Sequence, residues 1–150
     1  MKFLLIGVLF FLISCGESPL FNHRLENNNL IQDTFRSESD VQKFEKSGYS
    51  FVLSWVEGPQ MGGSRFILKT WKNGLGTASG PYQDLPKVLN VFLWMPTMGH
   101  GSAPVKIRKL TNGEYEVSDV QFIMAGKWEI KFQLKDGLQV VDEVIIPVSL

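Results

Sequence analysis

Over residues 128–135 every second side chain is apolar: Trp128, Ile130, Phe132 and Leu134 alternate with Glu129, Lys131, Gln133 and Lys135. A period of two places the first set on one face of an extended strand and the second set on the other, so the segment is a half-buried strand. Residues 49–55 alternate in the same way, with Tyr49, Phe51 and Trp55 on odd positions, and Phe66 and Leu68 lie inward between Arg65 and Lys69. Residues 88–95 are apolar almost throughout, the pattern of a central strand covered on both faces. Residues 104–110, 114–117 with a continuation to 124, and 139–148 supply the remaining strands. Asn112-Gly113 and Asp136-Gly137 are the hairpin signals. About seven strands in about 110 residues, without a long helical period or an internal repeat, predict an all-β chain folded as an immunoglobulin-like β-sandwich. Residues 40–46 are expected to form a short helix before the first strand. No Cys…Trp…Cys pattern exists, which excludes an antibody-type domain.

Composition removes several function classes. Lys and Arg number 15 and Asp and Glu number 15, so no basic field draws nucleic acid. Hydrophobic residues at 44% and charged residues at 20% fit a chain with a core and not a disordered one. A single Cys excludes an internal disulfide framework and a multi-Cys zinc or iron–sulfur site within one chain. There is no Walker A motif, no H-E-x-x-H and no Ser–His–Asp order, and only one of the two His falls inside the sandwich. An enzyme is not expected.

The N-terminus has the layout of an export signal: Lys2, then the apolar run of residues 3–13, then Ser14-Cys15. The run is shorter than the roughly 20 residues that a spanning helix needs. Leu12-Ile13-Ser14-Cys15 resembles the bacterial lipoprotein signal-peptidase site. That resemblance implies a signal peptide over residues 1–14, cleavage before Cys15 and acylation of Cys15. Two or more acyl chains hold a protein on a membrane where one is marginal. The alternative is an ordinary secretory signal with a free or buried Cys near the cut. Residues 15–37, with Gly16-Glu17-Ser18-Pro19, Asn27-Asn28-Asn29 and a solvated His23, read as a flexible tether, and residues 38–150 as the domain. The expected location is the bacterial cell envelope, lipid-anchored and extracytoplasmic. Gly16 after the Cys implies, by the lipoprotein rule, the outer membrane facing the periplasm where two membranes exist.

The specific signal lies in two glycine-bearing segments, Met95-Pro96-Thr97-Met98-Gly99-His100-Gly101 and Phe122-Ile123-Met124-Ala125-Gly126-Lys127-Trp128. Pro96 ends a ladder and the glycines permit a turn, so the first segment is an ordered loop presenting two thioethers and one imidazole. Thioether sulfur suits Cu(I), and imidazole adds a stronger donor. Calcium and magnesium would want carboxylates, and zinc rarely takes Met. Met95, Met98 and His100 are candidate ligands, with Met124 a possible fourth. Met95 and Met124 read equally well as core filler. His100 reads alternatively as a loop fastener. Met61, in Gly58-Pro59-Gln60-Met61-Gly62-Gly63, is an exposed-loop residue without motif support and a second-tier candidate. Trp94 and Trp128 read as packing residues and Tyr115 as a turn fastener.

The order M-P-x-M-G-H-G, then Gly113-Glu114-Tyr115, then F-x-M-x-G-x-W resembles the YtkA-like/FixH-like family of small exported immunoglobulin-like domains. The resemblance implies copper handling and assembly of haem–copper respiratory oxidases; FixH-like members usually carry a membrane helix where this chain has a lipid-anchor motif. Two readings follow. In the first, the domain sequesters Cu(I) or delivers it to a protein acceptor such as a respiratory oxidase. In the second, it is a non-metal interaction module that helps assemble a membrane complex, and the motif loop only shapes the fold. Exposure separates them: sulfurs and imidazole converging at the surface favour the first. A Met packed under Trp94 with His100 bonded to the main chain favours the second.

Overall fold

Each alternating segment becomes a strand whose apolar set faces inward. The computed structural model describes residues 40–150; the signal, Cys15 and the tether lie outside the described residues. The strands are β1 (Gln42–Phe44), β2 (Tyr49–Glu57), β3 (Gly62–Lys72), β4 (Val88–Met95), β5 (His100–Gly101), β6 (Lys106–Thr111), β7 (Glu114–Phe122), β8 (Lys127–Asp136) and β9 (Gln139–Ser149). One antiparallel sheet has the order β1-β2-β3-β7-β6 and the other β5-β4-β8-β9. Without β1 and β5 these are the four-plus-three sheets of an immunoglobulin-type sandwich, so the seven expected strands are present and two short ones extend them.

The core forms where the inner faces meet. Phe66, Leu68, Val117 and Phe122 from the first sheet are buried with Val91, Leu93, Trp128, Ile130, Phe132 and Leu134 from the second. Aromatic rings link the two sheets: Phe51 lies 5.0 Å from Phe132, Phe66 6.0 Å from Phe132, and Phe122 5.8 Å from Trp128. Such pairs contribute about 0.5–1.5 kcal/mol each beyond the area they bury.

Two expectations need correction. Residues 42–44 form β1 and not a short helix, because strand pairing with β2 (Gln42 opposite Phe51) turns Phe44 inward, 5.2 Å from the Phe51 ring. A seven-residue helix would be marginal and would forgo that burial. Nor is β4 a central strand covered on both faces. β5 pairs with it only at Trp94 and Met95, so Val88–Leu93 has β8 on one side alone. Val91, Leu93 and Met95 are buried, whereas Phe92 and Trp94 are half-buried and Val88 is 70% exposed.

At the end of the sandwich that holds the β6–β7 hairpin, Tyr115 fastens the β3–β4 connection and not the Asn112-Gly113 turn expected of it. Its hydroxyl accepts the Leu85 N–H at 3.1 Å. Asp84 accepts the Gly113 N–H at 2.8 Å and pairs with Lys109. The backbone donor first, and the Lys109 ammonium after it, hold the Asp84 carboxyl below the ordinary aspartate range.

Candidate functional site at one end of the sandwich

The strand order places four connections at the opposite end: β2–β3 (residues 58–61), β4–β5 (residues 96–99), β5–β6 (residues 102–105) and β7–β8 (residues 123–126). The two motif segments therefore meet, a juxtaposition that spacing alone leaves open.

The β4–β5 turn is built on the Met95 carbonyl, which accepts the N–H groups of Met98 at 3.1 Å and Gly99 at 3.0 Å. Gly99 takes φ +66°, a left-handed angle that lets the chain reverse within four residues. Met95 and His100 are then direct partners across the ladder, so their side chains leave the same face. For the pair this is the inner face: Met95 is 4% exposed and the His100 ring stands edge-on to buried Trp128 at 6.4 Å. Met98, at the tip, is 58% exposed.

The β7–β8 loop closes over this pair. A Cβ on Gly126 would lie 2.5 Å from Met95 Cε, so the thioether methyl occupies the space that a side chain there would take. Gly126 is pinned by two backbone bonds with Leu150, at 2.9 and 3.1 Å. The Trp128 indole N–H donates to the Met124 carbonyl at 3.0 Å, and Met124 packs half-buried against the core. Ser102, just after β5, donates its hydroxyl to the Gln121 carbonyl and ties the hairpin to β7.

His100 Nδ1 lies 3.0 Å from the Gly101 carbonyl oxygen. A carbonyl can only accept, so in this contact Nδ1 is the donor and Nε2 is not engaged by it. An imidazole fixed through one nitrogen with the other free is prepared to act as a ligand. The four candidates thus separate. His100 stands against Trp128, Met95 packs against Gly126, Met124 accepts the Trp128 indole N–H through its carbonyl, and Met98 is exposed on the β4–β5 turn. Met95 also serves as core, and its burial together with the main-chain contact of His100 matches part of what the interaction reading requires.

Gly126 is the residue that spacing does not single out, although the glycine of F-x-M-x-G-x-W is its trace in the sequence. The donors at this end are soft. Among the described residues no group of three or more His, Cys, Asp or Glu side chains converges. Thioethers with one imidazole fit Cu(I).

A family model described as YtkA-like matches residues 45–133, more than half of the chain. Neither the curated proteins nor the solved structures include a significant match. The chain belongs to the YtkA-like family.

Proposed function

We propose that this end of the sandwich binds Cu(I) as cargo and hands it to a protein acceptor. One observation carries the reading: Met95 and His100 pair across β4 and β5, the turn between them exposes Met98, and the main-chain contact of His100 uses Nδ1 and not Nε2. Met98, His100 and Met124 supply the accessible donors and Met95 the buried floor. An incoming acceptor ligand displaces Met98 first, because it is the most exposed of the four, and the remaining donors then exchange one at a time. Copper stays Cu(I) throughout, since exchange of one donor for another moves no electron. The role is binding and transfer, not catalysis. Lipidation at Cys15 would hold the domain on the extracytoplasmic side of a bacterial membrane, near a membrane acceptor such as a respiratory oxidase.

Methionine-methyl and imidazole-nitrogen NMR of the full chain during anaerobic Cu(I) addition tests the ligand set. The expected result is a saturable shift of the Met98 and Met124 methyls and of His100 Nε2, with a smaller one at Met95. Unmoved signals at excess Cu(I) would leave the second reading, an interaction module for a membrane complex. The burial of Met95 against Gly126 and the main-chain contact of His100 are the observations that favour it.

A further inference from the structure

At the end of the sandwich that holds the β6–β7 hairpin, three strands set a row of side chains on the outer face of the first sheet. Lys43 pairs with Ser50 across β1 and β2, and Ser50 pairs with Trp71 across β2 and β3. Residues directly opposite one another share a face. Their chain neighbours Phe44, Phe51 and Thr70 are buried inward, so this row points outward. The start of the β3–β4 connection rises beside the row. Together they enclose an open cleft of about 660 Å³, lined by Lys43, Ser50, Trp71, Asn73 and residues of that connection.

The wall is fastened. Thr77 and Gly80 exchange two backbone bonds, at 3.1 and 2.9 Å, and the Tyr82 hydroxyl donates to the Ala78 carbonyl at 2.9 Å. Gly76 has no room for a Cβ, which would fall 2.4 Å from the Pro81 carbonyl oxygen and 2.8 Å from Trp71 Cβ. The cleft is therefore formed before any ligand arrives, as binding sites mostly are.

Its chemistry is that of donors. Trp71 is 4% exposed, yet its indole N–H has no partner among the described residues. A tryptophan buried to this extent ordinarily has its N–H satisfied. No fully buried side-chain nitrogen or oxygen among the described residues lacks a hydrogen bond, so this N–H lies in the part of Trp71 that stays open, and Trp71 opens on the cleft. Ser50, 2% exposed, donates its hydroxyl to Asn73 Oδ1 at 2.5 Å, which engages the amide oxygen and leaves the amide nitrogen to donate. Lys43 has no ion pair among the described residues, and no Asp or Glu lines the cleft.

An indole N–H, an amide NH2 and an ammonium can only donate, so the group they match is one that only accepts. One unpaired cation matches one negative charge. We propose that this cleft binds the carboxylate of a small organic acid, with Lys43 as counter-ion and the Trp71 N–H and Asn73 amide as the donors that fix its oxygens. A phosphate, with its second charge and further oxygens, would want a second cation, which the lining lacks.

Nitrogen–proton NMR of the full chain in detergent at neutral pH tests this, following the four tryptophan indole signals as butyrate is added. We expect a saturable shift of the Trp71 signal and a still Trp128 signal, whose N–H is already held by the Met124 carbonyl at the other end. Butyramide, the same chain without the charge, should leave Trp71 unmoved. Lys43→Met, a substitution at an exposed side chain, should weaken butyrate binding about tenfold, as loss of one charge-assisted bond does. A Trp71 signal unmoved by excess butyrate, or moved equally by butyramide, would overturn the proposal, and so would unchanged affinity in Lys43→Met. Inorganic phosphate that moves the Trp71 signal at lower concentration than butyrate would overturn the choice of a carboxylate. If Lys43→Met unfolds, the wild-type contrast between butyrate and butyramide decides.

Discussion

Substituting Gly126 with Ala is a direct test of how the β7–β8 loop closes over the candidate site. Gly126 has φ +140°, an angle that L side chains rarely adopt, and its new Cβ would lie 2.5 Å from Met95 Cε. Relief is blocked on both sides. The loop is bonded twice to Leu150 and once through Trp128, and Met95 is 4% exposed with little space to move into. Backbone strain of this kind costs about 1–3 kcal/mol and overpacking a similar amount, so a loss of about 3 kcal/mol is expected. That is a large share of the roughly 5–15 kcal/mol by which a domain is stable. Urea unfolding followed by tryptophan fluorescence measures it as a lowered midpoint at constant slope. Met95→Ala alone should cost about 2–5 kcal/mol as a buried truncation. The double variant should recover at least about 1 kcal/mol relative to the sum, because the cavity accepts the new methyl. A Gly126→Ala change within about 0.5 kcal/mol of wild type, or strict additivity in the cycle, would refute the packing argument.

Gly113→Ala should destabilise more than Gly137→Ala. A Cβ at Gly113 falls 2.3 Å from the Gln83 nitrogen and 2.8 Å from two carbonyl oxygens, whereas at Gly137 nothing lies within 4 Å; equal melting temperatures would contradict this. Asp84→Asn tests the opposite end of the sandwich. The Asp84 carboxyl is held below 3.8 in the folded state, so its stabilisation is present above pH 3.8 and is lost as pH falls through the folded value. The variant should be less stable at neutral pH and show a flatter acid limb below pH 3.8 in pH-dependent urea unfolding; an unchanged limb would refute the assignment. Cys15→Ser should abolish incorporation of labelled fatty acid and release the protein from membranes, and unchanged labelling would remove the lipid anchor from the account.

The strands were legible because burial on one face forces a period of two, and that period is visible without any tertiary knowledge. Residues 128–135 alternate in burial along β8 as they alternate in hydrophobicity. Two elements were not legible for the same kind of reason. β1 is three residues long, too short to display a period, and is a strand only because β2 offers Phe44 a place beside Phe51. The apolar run of β4 signals a doubly covered strand, but its neighbours are set by chain topology, and β5 reaches only its last two residues.

At the site, the pairing of Met95 with His100 depends on which residues the β4–β5 turn consumes, and spacing shows the residue types but not the register.

The central claim is that the exposed thioether and the prepared imidazole hold copper. Anaerobic Cu(I) titration of the full chain against a competing chromophoric chelator, beside the Met98→Ala/His100→Ala double variant, tests it most directly. The account predicts tight one-to-one binding by the wild type that is lost in the double variant while its melting temperature stays close to wild type. Equal Cu(I) uptake by the two proteins, or none by either, would contradict it.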